Sequence, residues 1–246
     1  MKRIFFFLAA ALFAVASRAA VPDWVETPAF ADVFTEAGVE GTVLVYDEQA
    51  DQWRVHYAAR AREGFIPAST FKIFNALVAL ETGAVADEFE VIQWDGEKRW
   101  LPVWNRDHSL ASAMKFSVVW LNQEVARRAG AERMQHWLDA VDYGNHDRGG
   151  SVDHFWLDGP LRITAEQQIA FLRRLADGTL PFAKKVQDGK DLGWLVGWAE
   201  RSGRRWFFAL NIDMTDKDDG EKRHLIARRI LVGMGALPVS AATPQG

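Results

Sequence analysis

Residues 73–80 read Ile-Phe-Asn-Ala-Leu-Val-Ala-Leu, apolar on nearly every face of a helix. A helix apolar all round is a buried one, so the chain has to build enough structure to surround it. With 246 residues, 49% hydrophobic and 25% charged, it can make one large domain or two interleaved layers around a shared core. The segment opens with Pro67-Ala68-Ser69-Thr70-Phe71-Lys72 and closes at Gly83, a helix-stop residue. Ser69 and Lys72 stand three residues apart, which places both side chains on one helical face. A hydroxyl is a poor nucleophile at neutral pH, and a lysine held one turn away in apolar surroundings can become its base. Ser69 is therefore a candidate for covalent acyl chemistry. The same spacing recurs from Ser112 to Lys115, but in the mixed stretch Asp107 to Lys115, where a solvated lysine is the ordinary expectation.

Met1-Lys2-Arg3 is a basic head, Ile4 to Ala16 an apolar run and Ser17-Arg18-Ala19 a small-residue cleavage pattern. Together they predict a signal peptide over residues 1–19, one folded domain over 20–246 and a mature chain in the periplasm or outside the cell. The apolar run is short for a bilayer span, which argues against a stable membrane anchor. Cysteine is absent, so packing must supply the stability, and 11 tryptophans and 16 phenylalanines provide the area. A formal net charge of −4 gives no basic footprint for nucleic acid, and no glycine-rich phosphate loop precedes a helix. The six histidines form no metal-type pair on a helix face, so no metal is expected.

Gly41 to Asp47 and Gln52 to Tyr57 read as an antiparallel hairpin. From about residue 69 to 178 the pattern is mostly helical: Met134, Trp137, Leu138 and Val141 keep helical spacing, as do Ala165, Ile169, Leu172 and Ala176. Thr164 and Gln167 make a capping box. Strands are expected over Trp194 to Glu200 and Arg205 to Met214, turning at Ser202-Gly203, and a last helix over Glu221 to Met234. The order predicts an α+β fold: an antiparallel sheet built from both termini, flanking helices and a helical region to one side, with the active serine where they meet.

Three further elements follow Ser69-Thr70-Phe71-Lys72 in order: Ser117-Val118-Val119, Tyr143-Gly144-Asn145, and Phe155-Trp156-Leu157-Asp158-Gly159-Pro160-Leu161. In this combination the chain resembles the class D, OXA-type serine β-lactamases from about Gly41 to Phe182 and again from Gly193 to about Arg223. The resemblance implies a serine β-lactamase/transpeptidase-like fold and a β-lactam substrate. It implies Ser69 as nucleophile, Lys72 carboxylated by carbon dioxide as general base, and no other cofactor. Ser117 would relay a proton to the leaving nitrogen, Val119 would keep the lysine pocket dry, Trp156 would donate its indole N–H to the carbamate, and Arg223 would meet the substrate carboxylate.

The sequence departs from that family in one respect, since it holds no Lys-Thr-Gly or Lys-Ser-Gly triad. Between Phe182 and Trp194, where the family carries a longer segment including that strand, stand only eleven residues, Ala183 to Gly193. The strand supplies one of two oxyanion donors, and losing one donor costs about 10²- to 10³-fold in rate. Asp188-Gly189 is a hairpin signal that could return a short strand, Phe182 to Gln187, with Lys184 or Lys185 near the lost lysine's place. Two alternatives to a working β-lactamase stay open: a penicillin-binding or sensor-like domain that acylates without turnover, and an inactive deletion variant.

Overall fold

The computed structural model describes residues 23–183, 196–212 and 219–238. The expected signal peptide, the Asp188-Gly189 hairpin with Lys184 and Lys185, and Trp194 lie outside the described residues. The elements run in the order β1 (Trp24–Glu26), α1 (Pro28–Ala37), β2 (Gly41–Asp47), β3 (Gln52–His56), α2 (Ala58–Ala61) and α3 (Phe71–Glu81). The helical region continues with α4 (Leu110–Phe116), α5 (Val119–Ala129), α6 (Ala131–Val141) and α7 (Ala165–Ala176), and the chain returns through β4 (Val196–Arg201), β5 (Arg204–Ile212) and α8 (Asp219–Gly233).

The sheet order is β1-β3-β2-β5-β4, with strands from both ends of the chain meeting at β2 and β5. Gly41 pairs with Ile212 and Asp47 with Trp206. The β4–β5 hairpin turns at Ser202-Gly203, both with positive φ (53° and 76°), as a two-residue turn matched to strand twist demands. One expectation needs correction: the sheet is not wholly antiparallel. The edge strand β1 runs parallel to β3, pairing Trp24 with Trp53. Helix α1 packs on β3 and takes the chain across it to β2, and β2, antiparallel to β3, is the return run that lets β1 and β3 point the same way.

Side-chain alternation along β2 divides the core. Val43 and Val45 face Phe30, Phe34, Trp206, Phe208, Ile226 and Ile230, the apolar layer under α1 and α8. Leu44 and Tyr46 face the opposite layer with Phe71, Phe74, Leu77, Ile169, Leu172 and Phe207. Helix α3 also gives Ala76 and Ala79 to a third cluster, with Leu110, Ala113, Leu121 and Val125 of α4 and α5. This shared position explains its sequence: a helix sandwiched between the sheet and the helical region has no face left for water, and Phe71 to Ala79 are all buried. Each fully buried Leu, Val or Phe there contributes roughly 1.5–3 kcal/mol.

Candidate active site

Ser69 sits in a single 3₁₀ turn, Ala68–Thr70, that runs directly into α3, and Lys72 is the second residue of that helix. Pro67 starts the turn with φ −66°, the value its ring imposes. Lys72 is 1% exposed. Its Nζ lies 2.7 Å from Ser69 Oγ and 3.1 Å from Ser117 Oγ, and the two serine oxygens are 3.5 Å apart. Desolvation disfavours the ammonium, so burial lowers the lysine pKa from 10.5 to about 8. Near neutral pH a minor fraction of the amine is thus deprotonated, the form able to take a proton or react as a nucleophile.

Two residues of the site hold a backbone that side chains seldom adopt. Ala68, just before Ser69, has φ +47°, and Ser117, at the C-terminus of α4, has φ +55°. Each costs on the order of 1 kcal/mol and persists only where the surroundings over-determine it. At Ser117 the left-handed turn ends α4 and lets Val118 N–H bond to Ala113 O at 2.9 Å, directing the hydroxyl at Lys72. At Ala68 the amide donates to Trp156 O at 2.9 Å, which ties the nucleophile turn to the 151–163 loop.

That loop is held by the Tyr143-Gly144-Asn145 turn. Asn145 N–H donates to Arg162 O at 2.8 Å, and its side chain bonds Pro160 O and Arg162 N–H. Gly144 is required there, because φ is +62° and a Cβ would stand 2.2 Å from Arg162 O. Trp156 is fully buried, stacked on Phe71 with ring centroids 4.6 Å apart, and its Nε1 has no hydrogen-bond partner among the described residues. An indole N–H so orphaned fits an acceptor group in its neighbourhood.

Ser69, Ser117 and Arg223 line one cavity of about 320 Å³ between the nucleophile turn and the sheet, with Val196 of β4 and Asn211 of β5 on its far side. Arg223, on the first turns of α8, is half-buried and its Nε has no partner among the described residues. Desolvation lowers its pKa. Val119 is not among the lining residues; it sits half-buried at the start of α5. Of the sequence-predicted residues, then, the structure brings Ser69, Lys72, Ser117 and Arg223 to one place, sets Trp156 beneath the turn, and leaves Val119 off the cavity wall. It adds Gln168, a buried side chain of α7 that also lines the cavity. A polar residue in the otherwise apolar stripe Ala165, Ile169, Leu172, Leu175 was the signal available in the sequence. Among the described residues no cluster of His, Asp or Glu could hold a metal ion.

A serine bonded to a buried lysine one turn away, with a second serine within reach of both, defines a serine acyl-transfer enzyme. The family described as "Penicillin binding protein transpeptidase domain" matches residues 39–182 and, in a second segment, 178–232. The chain is 40% identical to β-lactamase OXA-48 of Klebsiella pneumoniae, over 90% of this chain and 95% of the relative. It is 39% identical to the probable β-lactamase YbxI of Bacillus subtilis, over 80% and 82%. The crystal structure of the class D β-lactamase YbXI from Nostoc superposes with a TM-score of 0.80 at 37% identity, covering 85% of this chain and 99% of that one. FUS-1 (OXA-85) from Fusobacterium nucleatum gives 0.81 at 34%, over 86% and 99%. This chain belongs to the class D β-lactamases.

Proposed function

We propose that the protein hydrolyses β-lactam antibiotics of the penicillin class through an acyl-enzyme on Ser69. The observation that carries this reading is the buried Lys72 amine 2.7 Å from Ser69 Oγ and 3.1 Å from Ser117 Oγ, two hydroxyls that line a cavity also lined by Arg223. Ser69 Oγ attacks the lactam carbonyl carbon and gives its proton to the base on Lys72. The lactam C–N bond breaks, and Ser117 passes a proton to the departing nitrogen. Water then attacks the ester carbonyl as the same base takes its proton, the carbonyl C–Ser69 Oγ bond breaks, and the base returns the proton to Ser69 Oγ. Arg223 meets the substrate carboxylate, an assignment its half-buried guanidinium supports.

Carbon dioxide bound as a carbamate on Lys72 would supply a stronger general base than the amine. Two features support it here: the amine pKa near 8, which leaves a neutral fraction to react, and the unpartnered Trp156 Nε1. Val119, two residues after Ser117, would help exclude water from the lysine. We further infer export to the periplasm or beyond from the basic-apolar-small pattern of residues 1–19. Recovery of a periplasmic chain beginning near Val21 would support it, and an intact N-terminus would refute it.

A second reading rests on the missing Lys-Thr-Gly triad. The two family matches meet at residues 178–182. The alignment to OXA-48 runs over 251 positions, more than the 246 residues of this chain, while using 90% of them. Both facts support a segment of the relatives without counterpart here. The amide of Ser69, at the mouth of α3, would then be the retained oxyanion donor, and turnover would be slowed about 10²- to 10³-fold or stop at the acyl-enzyme. Incubating the protein and its Ser69→Ala variant with excess benzylpenicillin in bicarbonate buffer, with intact mass and free drug followed together, separates the readings. Many turnovers by the parent alone support the β-lactamase. A lasting adduct without turnover supports the acylating domain, and no adduct overturns both.

A further inference from the structure

We propose that Gln168 is a positioning residue for the nucleophile: through Thr70 it holds the Pro67–Ser69 turn in the conformation that sets Ser69 Oγ against Lys72. The proposal rests on the reading of Ser69 as nucleophile. Gln168 is 6% exposed on α7, in the apolar stripe that packs on the sheet. A primary amide in such a place is costly unless it is bonded. Its Nε2 donates to Thr70 Oγ1 at 2.7 Å, and Thr70 Oγ1 donates in turn to Pro67 O at 2.7 Å. The Thr70 backbone N–H reaches the same Pro67 carbonyl at 3.0 Å. The chain of donors has one direction, from amide to hydroxyl to carbonyl. Because the amide N–H can only donate and the carbonyl can only accept, the threonine hydroxyl proton points at Pro67 O.

This clasp spans the residue that needs it. Between Pro67 and Thr70 lie Ala68, with φ +47°, and Ser69. A left-handed alanine relaxes unless its neighbours are fixed on both sides. Trp156 O holds one side through the Ala68 amide, and the Gln168–Thr70–Pro67 chain closes the turn from the other. The anchor itself is rigid. Thr164 and Gln167 close a reciprocal capping box at the start of α7, and Gln167 Nε2 bonds Gly144 O at 3.1 Å. The fully buried Tyr143 side chain, next to Gly144, packs on Phe71 and Phe171 around the same junction.

The test is single-turnover acylation by benzylpenicillin, read by intact mass for the parent, Gln168→Leu, Gln168→Glu, Thr70→Ser and Thr70→Val. Gln168→Leu is expected to lower the acylation rate constant on the order of 10- to 100-fold, the usual effect of a misplaced reacting group. The half-saturating concentration should stay within about threefold of the parent. Gln168→Glu, which keeps size and a bond to Thr70 but reverses its direction, should be as slow as Gln168→Leu, and it stands in should the leucine variant fail to fold. Thr70→Ser should keep the parent rate, and Gln168→Leu with Thr70→Val should be no slower than either alone. Parent rates in both Gln168 variants, or losses that multiply in the double variant, would overturn the proposal. If the parent takes up no benzylpenicillin, the nucleophile reading is what has failed. Amide hydrogen exchange at residues 68–71 then decides the clasp: faster exchange in Gln168→Leu sustains it, unchanged exchange refutes it.

Discussion

Lys72 and Lys115 each follow a serine by three residues, but their surroundings share little. Lys72 is enclosed between the sheet and the helical region, with its Nζ on two serine hydroxyls. Lys115 is exposed on the last turn of α4, its ammonium 5.3 Å from the centroid of the Phe116 ring. The serines differ as much. Ser69 Oγ opens onto a cavity. Ser112 Oγ is occupied in a capping box, accepting from Ser109 N–H at 2.9 Å and sitting 2.9 Å from His108 Nδ1. One copy holds a buried amine against a hydroxyl that lines a cavity, and the other begins a helix. A serine–lysine spacing becomes a catalytic pair only where the fold removes water from the lysine and leaves the serine a free side.

The contrast can be broken most sharply at the serines. Ser69→Ala should abolish covalent labelling by benzylpenicillin, a loss on the order of 10⁴- to 10⁶-fold, while Ser112→Ala still labels; intact mass reads both. Next come the lysines. Lys72→Met should cut acylation about 10²- to 10⁴-fold, the worth of a positioned base, and Lys115→Met should leave it within about twofold. Carbon dioxide sharpens the distinction further. In ¹³C-bicarbonate one carbamate resonance should appear that is lost in Lys72→Met and kept in Lys115→Met.

Stability should follow pH through Lys72 as well. Its folded pKa, about 8, lies below the ordinary 10.5. Between those values the unfolded chain binds more protons than the folded one, so the lysine's contribution to stability improves as pH rises from 8 to 10.5. Denaturant titrations should show that gain in the parent and its loss in Lys72→Met. The smallest effect belongs to Ser112→Ala, which should lower stability by about 1 kcal/mol through the lost cap, with acylation unchanged.

Much of this arrangement was legible in the residues. A helix apolar on all sides had to be buried, and runs rich in β-branched and aromatic residues marked β2, β3 and β5. Thr164 and Gln167 announced α7. The close Ser69–Lys72 pair was readable because its sequence context differed from that of Ser112. What escaped had physical causes. The three-residue β1 is too short to carry a period. The left-handed turns at Ala68 and Ser117 fall on residues that do not favour them, so only tertiary bonds impose them. Val119 was assigned to the lysine pocket by family likeness alone, since no spacing or pattern in the chain marks it. Gln168 was hidden because a glutamine on a helix is ordinarily solvated, and its meaning lies in a partner 98 positions away.

The pairing of Gly41 with Ile212 and of Asp47 with Trp206 also sets an order of events. Strand β2 stays buried along its full length, yet its β5 neighbour is made only near the end of synthesis. Contacts so distant in sequence form slowly, because a long loop must close before they repay its entropy. The helices from α3 to α7 are continuous in the chain and can collapse first. Val196 and Asn211 on the sheet side of the cavity, and Arg223 after them, arrive last. A chain interrupted before β4 can hold Ser69 and Lys72 and still lack the sheet side of the cavity.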